Sequence, residues 1–325
     1  MASQREQIAN KEAAADSAAK KLHGAFVDAA GRLRDGFSVI ATQRSLEGFD
    51  IATILNNADE LAGYLLGKGL PPGFSSFEDY LIDALGKGGE TGIEAMPPPI
   101  AMQATFNVIN PLAVAWANDY IPKLIREISE STREGIAEVL RYGMDNQLPP
   151  QTTARAIREM IGLTAKQSRA VINYRRQLEA RSNLSGITPA DRRLIGLRDQ
   201  KTVNRHFREG HLTPERIDAM VDRYYKNLVN MRANTIARTE AFRAVEMGEQ
   251  LAWEKAVKDG LIRESDVIRK WVTARDDRVR PDHAAIPRMN KDGVGLKEPF
   301  KTPTGLVMNP PYGVNCRCSV VRVIK

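Results

Sequence analysis

The residues with the most chemistry in them lie near the C-terminal end: His283, Cys316 and Cys318. A histidine and two cysteines can begin a zinc site, and Asp276 or Asp282 would complete four ligands. The spacing speaks against it, because Cys-x-Cys is tighter than the usual knuckle of about two to four intervening residues. These are the sole cysteines, and so close together in an extended segment they are not expected to bridge each other. In a strand they would share one face as small buried side chains, with Arg317 turned away. No metal and no cofactor is therefore expected. Asp276, Asp277, His283 and Asn315 hold the groups a metal-dependent nuclease needs, carboxylates and a histidine converging on a divalent ion, but their spacing matches no nuclease signature. A Cys–His hydrolase needs its thiol at a helix N-terminus or beside a positioned base, and a terminal strand offers neither. No Gly-rich phosphate loop, His-Glu-x-x-His or Gly-x-Ser-x-Gly occurs. The chain reads as non-enzymatic.

Charge points to a different kind of partner. The net +7 of the 325 residues is unevenly spread: residues 1–150 carry 13 Lys+Arg against 20 Asp+Glu, and residues 151–325 carry 34 against 20. A basic half attracts polyanions, of which DNA is the commonest. Within it, Met160 to Val171 resembles a helix-hairpin-helix, whose glycine turn lets backbone N–H groups approach a phosphate. Only Gly162 of the turn glycines is present, Thr164 standing for the second; the plainer alternative is two helices separated by a Gly stop and a Thr cap. Arg155, Arg158, Lys166, Arg169, Arg175 and Arg176 crowd this hairpin and are candidate contacts to double-stranded DNA. Without an aromatic platform or a base-reading helix, such binding would be independent of sequence and sensitive to salt.

The elements that must position these residues are mostly helical. Hydrophobic residues make up 42% and charged residues 27%, as in ordinary globular chains. No apolar run approaches the roughly 18 residues of a membrane span, so no membrane partner is expected. The opening MASQREQIANKEAAADSAAKK lacks the apolar middle of a secretory signal, and a cytoplasmic protein at birth is expected. The first 40 residues predict a helix with a thin apolar stripe, and Phe49 to Leu66 and Phe77 to Leu85 predict two more. Residues 86–100, with four glycines and Pro97, Pro98 and Pro99, predict a linker or extended arm. Ile121, Leu124, Ile125, Ile128, Ile136, Val139 and Leu140 mark a long amphipathic helix. Thr188–Pro189 and Thr213–Pro214 each predict a capped helix start, the second helix running on, with a break, to Gly260. After Asp266 the period changes: Val267 to Thr273 and Ser319 to Ile324 predict short strands, with loop-rich sequence between them. The expected fold is mainly α, with long amphipathic helices and a small α+β C-terminal module carrying a short sheet. Three segments are expected: 1–110 helical with its linker, 111–235 helical, and 236–325 the module. Trp271 is expected in the module's core. Glu240 is expected to reach Arg278 or Arg280 and tie a covering helix to the sheet.

The ordered residues of the tail carry a resemblance. Arg238, Thr239 and Glu240 on a helix are followed by Trp271, then by Asp276, Arg278, Arg280 and His283. A Pro310–Pro311 turn and a closing Asn315, Cys316, Arg317 and Cys318 complete the series. This series resembles the C-terminal domain of the phage Mu F-like head-morphogenesis family, and Gly162 to Glu179 is similar to the helical region before it. The resemblance says little about residues 1–110. It implies a minor head (capsid) protein of a tailed bacteriophage, carried in the virion at the portal vertex or capsid interior, with the portal protein, other capsid proteins and packaged DNA as partners, assisting head morphogenesis, DNA packaging or delivery. The alternatives are a sequence-independent DNA-binding protein using the basic middle region, and a toxin-like or metal-dependent enzyme built on the C-terminal module.

Overall fold

The structure, a computed structural model, describes residues 4–43, 75–146, 156–157, 160–181 and 192–325. The expected helix at Phe49 to Leu66 lies outside them, as does the start of the one after Thr188–Pro189, of which Arg192–Ile195 is described. Three long helices dominate: α1 (Gln4–Gln43), α4 (Pro111–Asp145) and α8 (Pro214–Lys258). Between α1 and α4 lie α2 (Ser75–Glu94) and α3 (Pro98–Ala101). Between α4 and α8 lie α5 (Ala165–Ala180), α6 (Arg192–Ile195) and α7 (Gln200–Glu209). Strand β1 (Val267–Val272), α9 (Pro281–Met289), β2 (Val294–Gly295), β3 (Phe300–Thr302), β4 (Gly305–Val307) and β5 (Ser319–Ile324) complete the described chain. The mainly α fold with a small C-terminal sheet is as expected. No helix among the described residues is long and apolar enough to cross a membrane.

The compact units are not consecutive in sequence. One combines Met1–Gly24, Ser76–Ile121 and Asn234–Lys325; the other combines Ala25–Ser75 and Pro122–Ala233. Residue 235, an expected boundary, lies inside the unbroken α8.

In the first unit the expected linker at 86–100 is corrected: its glycines lie within α2. Glycine disfavours a helix by about 1 kcal/mol per residue, and what offsets this is close packing against α8. A Cβ on Gly88 would stand 2.1 Å from the Val245 carbonyl oxygen, and one on Gly248 of α8 would stand 2.0 Å from that of Leu85. Helix α8 ends as its residues dictate. Gly260 takes φ +76, its N–H bonding to Val257 O and that of Leu261 to Ala256 O, the paired bonds of a Schellman stop. The chain then enters a three-stranded antiparallel sheet ordered β2-β1-β5, with Trp271 opposite Val320 and Arg269 opposite Arg322. Strands β3 and β4 form a separate hairpin. Trp271, Ile286, Phe300, Cys316, Cys318 and Val320 form the module's core, so Trp271 sits where its type requires.

In the second unit Thr164 caps α5 in a reciprocal box with Gln167, and Gly162 turns the chain with φ +84. Arg232 organises what surrounds that turn. Its guanidinium is buried and donates to Gly162 O (2.6 Å), Ile128 O (3.1 Å), Thr132 Oγ1 (3.1 Å) and Ser131 Oγ (2.5 Å). Burial pushes its pKa down to about 10, still well above neutrality.

Candidate functional site

The ordered tail residues lie in the first unit, and most of them hold the module together. Thr239 Oγ1 accepts from the N–H of Asn315 (3.1 Å) and donates to Thr235 O (2.8 Å). That bond ties α8 to the segment before β5. The expected tie from Glu240 to Arg278 or Arg280 is not made. Glu240 accepts from the Tyr120 hydroxyl and pairs with Arg243 at 3.2 Å, because both stand on its own side of α8 while the loop arginines are engaged elsewhere. Arg278 turns back to Asp276 (3.5 Å). Arg280 donates to Val314 O (2.6 Å). Asp276 takes both arms of Arg317, at 2.5 and 2.7 Å. Those bonds, ahead of other influences, hold the Asp276 carboxyl at about 2, so the clamp is complete above the ordinary carboxylate range and opens only as pH falls towards that value. Arg238 is exposed, and Pro310 and Pro311 are buried in the turn that returns the chain to β5.

Sequence reasoning missed the strongest bracing. Arg269 and Arg322, directly opposite on neighbouring strands, are both fully buried, and like charges so placed repel. Helix α8 supplies the answer. Arg322 Nη1 lies 2.9 Å from Glu249 and 4.0 Å from Glu246, and Nη2 donates to Gln250 Oε1 (2.8 Å). Arg269 donates to Met308 O and Asn309 Oδ1, both at 2.9 Å, and lies 5.0 Å over the Phe300 ring. From α1, the buried Lys11 joins Glu246 (3.3 Å) and Glu249 and donates to Ser319 Oγ (3.2 Å) and Val320 O. Two of these groups left a trace in sequence: arginine at inward positions of β-branched strands. Nothing local announces Lys11, 308 residues from Ser319.

His283, Cys316 and Cys318 do come together, buried, with one ligand atom from each within 4.8 Å of the others. His283 Nδ1 stands 3.3 Å from Cys318 Sγ and 3.4 Å from Cys316 Sγ. The two cysteines lie in the irregular stretch just before β5 rather than on a strand. Hydrogen bonding from the Cys318 thiol and backbone N–H holds the Cys316 pKa below the usual thiol value; burial and the Cys316 sulfur raise that of Cys318. The donor set does not fit zinc well. No fourth His, Cys, Asp or Glu among the described residues joins the three. Moreover, Arg280 Nη1 lies 3.2 Å from His283 Nε2, and a guanidinium only donates. Nε2 must then accept, which leaves the proton on Nδ1, the nitrogen facing the sulfurs. A zinc-bound imidazole needs the reverse, a bare Nδ1 and an Nε2–H aimed at an acceptor. We expect purified protein to contain no stoichiometric zinc and to melt unchanged in a chelator. One zinc per chain, with melting lowered by chelation and restored by zinc, would show the opposite.

The basic residues of the middle region belong to the second unit, and Arg155 and Arg158 lie outside the described residues. The turn that would have approached a phosphate is interior: Met160, Ile161 and Leu163 are at most 2% exposed, and Arg232 already binds the Gly162 carbonyl. The buried turn speaks against a helix-hairpin-helix contact there; Thr164 caps α5 as the plainer alternative expects, and the helix expected before Gly162 lies largely outside the described residues. Arg169 pairs with Glu138 (2.8 Å), Arg175 with Asp218 (2.6 Å), and Arg176 lies 5.8 Å over the Tyr142 ring. Lys166 is exposed on α5.

What this geometry defines is an α+β module clamped to a long helix, its polar residues engaged with one another. Residues 200–321 match the family of Phage Mu protein F like proteins. This part of the chain is thus similar to the Mu F-like family, in agreement with the order of its tail residues. No curated protein and no solved structure matches the chain.

Proposed function

We propose that the protein is a minor head protein of a tailed phage, associated with the portal and the capsid interior, where it assists assembly, packaging or delivery of DNA. The observation that carries this reading is the Mu F-like stretch 200–321, together with a module whose motif residues serve each other. Asp276 is clamped by Arg317 and His283 is engaged by Arg280, so neither is poised to act on a substrate. The surplus of basic residues after 150 supports contact with packaged double-stranded DNA. The test is quantitative mass spectrometry of proheads and finished particles, beside infectivity. The protein should be present in few copies, and its loss should lower infectivity more than head number. Changes at His283 or Asp276 should lower soluble yield and particle copy number together. A variant that stays folded and incorporated yet loses function would favour the enzyme reading. Absence from both proheads and particles would end the proposal.

A further inference from the structure

A cavity of about 240 Å³ opens in the second unit between α5, the segment before α7, and α8. Its floor is aromatic: Tyr174 and Tyr224 meet edge to face with centroids 4.9 Å apart. Above both rings lies the Arg198 guanidinium, 4.6 Å from one centroid and 5.1 Å from the other. Bonds to Gln177 Oε1 (3.0 Å) and Ala170 O (3.2 Å) fix its plane. At the rim stand Arg216 and Arg223, both exposed and two turns apart on α8, about 10 Å along its axis. Neither has an ion-pair partner among the described residues, whereas Arg169 and Arg175 nearby in sequence do. The one acid in the lining, Asp199, makes no ion pair with Arg216 or Arg223, although both act on it through space and, after its bonds to Thr202, help lower its pKa. Its carboxylate caps α7, accepting from Thr202 N (3.1 Å) and Oγ1 (2.7 Å). One carboxylate against three guanidiniums, one of them fixed on an aromatic floor and two at the mouth without a direct ion pair, leaves a net positive site for an anion. Its volume falls below the roughly 300–1,000 Å³ of sites that enclose a whole small molecule. It suits one oxyanion that projects from something larger, and paired guanidiniums match phosphate geometry.

We infer that this pocket, through Arg216 and Arg223 beside Arg198, binds a backbone phosphate of nucleic acid. The inference rests on the DNA-contact part of the proposed function and gives that contact its residues, which are not the six expected from the sequence. The test uses the full chain, short labelled duplexes of two unrelated sequences, and salt varied from about 50 to 200 mM. The Arg216→Ala/Arg223→Ala variant is compared with Arg263→Ala/Arg288→Ala, which removes two exposed arginines from the other unit; circular dichroism checks folding. We expect the pocket variant to bind both duplexes at least about tenfold more weakly, its salt slope reduced by about two, while the control changes less than about threefold. Equal losses in both variants would overturn the pocket and leave DNA contact standing as a diffuse effect. Binding of inorganic phosphate, lost in the pocket variant, without any binding of duplex would overturn the nucleic-acid source and the DNA-contact reading, but not the phosphate chemistry. Binding of neither would overturn all three.

Discussion

Truncating Glu249 to alanine is expected to destabilise the first unit by about 3–5 kcal/mol, because it leaves Lys11 and Arg322 buried with one acid between them. Denaturant unfolding followed by circular dichroism would measure this. The cause can be separated from lost packing with a second variant. Replacing Lys11 by methionine and Glu249 by leucine removes one charge of each sign, fills the same space, and leaves Arg322 near Glu246. Buried ion pairs exchanged for apolar groups of similar volume are often neutral or stabilising. The double variant should therefore recover most of what Glu249→Ala loses. If it is as unstable as the single truncation, these charges do not act as a coupled set.

The second large effect is expected at Gly248. A Cβ there would meet backbone on α2: Leu85 O at 2.0 Å, Gly89 N at 2.8 Å and Gly88 C at 3.0 Å. Backbone cannot rotate away, so Gly248→Ala must push the two helices apart, at a cost of about 1–3 kcal/mol or more. Gly24 in α1 is the control. A Cβ there meets nothing within 4 Å, and Gly24→Ala should stabilise by up to about 1 kcal/mol through helix propensity alone. Opposite signs in thermal melts of the two variants are the expected result. A neutral Gly248→Ala would mean the helices are not in contact as described.

How legible these features were depended on their range. Local signals read well: the Thr164 cap, the Gly260 stop, the change of period after Asp266, and Trp271 as core. The glycines of 86–92 misled because their meaning is set by α8, and a small residue in a tight helix pair looks the same in sequence as one in a loop. Glu240 misled in a similar way. The sequence shows its neighbours Arg238 and Arg243, but Tyr120, its hydroxyl donor, arrives from α4. The basic hairpin was read as a charged surface, although several of its arginines face acids on other helices. Only the folded structure shows that Arg169 and Arg175 make direct ion pairs whereas Arg216 and Arg223, beside the cavity, make none.

The bond from Lys11 to Ser319, spanning 308 positions, sets a schedule for the ribosome. The first turns of α1 are made long before the strand that receives Lys11. Until β5 is released, Lys11, Glu246 and Glu249 have no Arg322 or Ser319 to meet, and α1 also carries an apolar face, Ala15, Ala18 and Leu22, that the complete fold buries. Contacts of such long range close slowly, and an exposed apolar face is a liability while it waits. Ribosomes stalled near residue 300 should thus carry a protease-sensitive α1, which becomes protected only when β5 emerges.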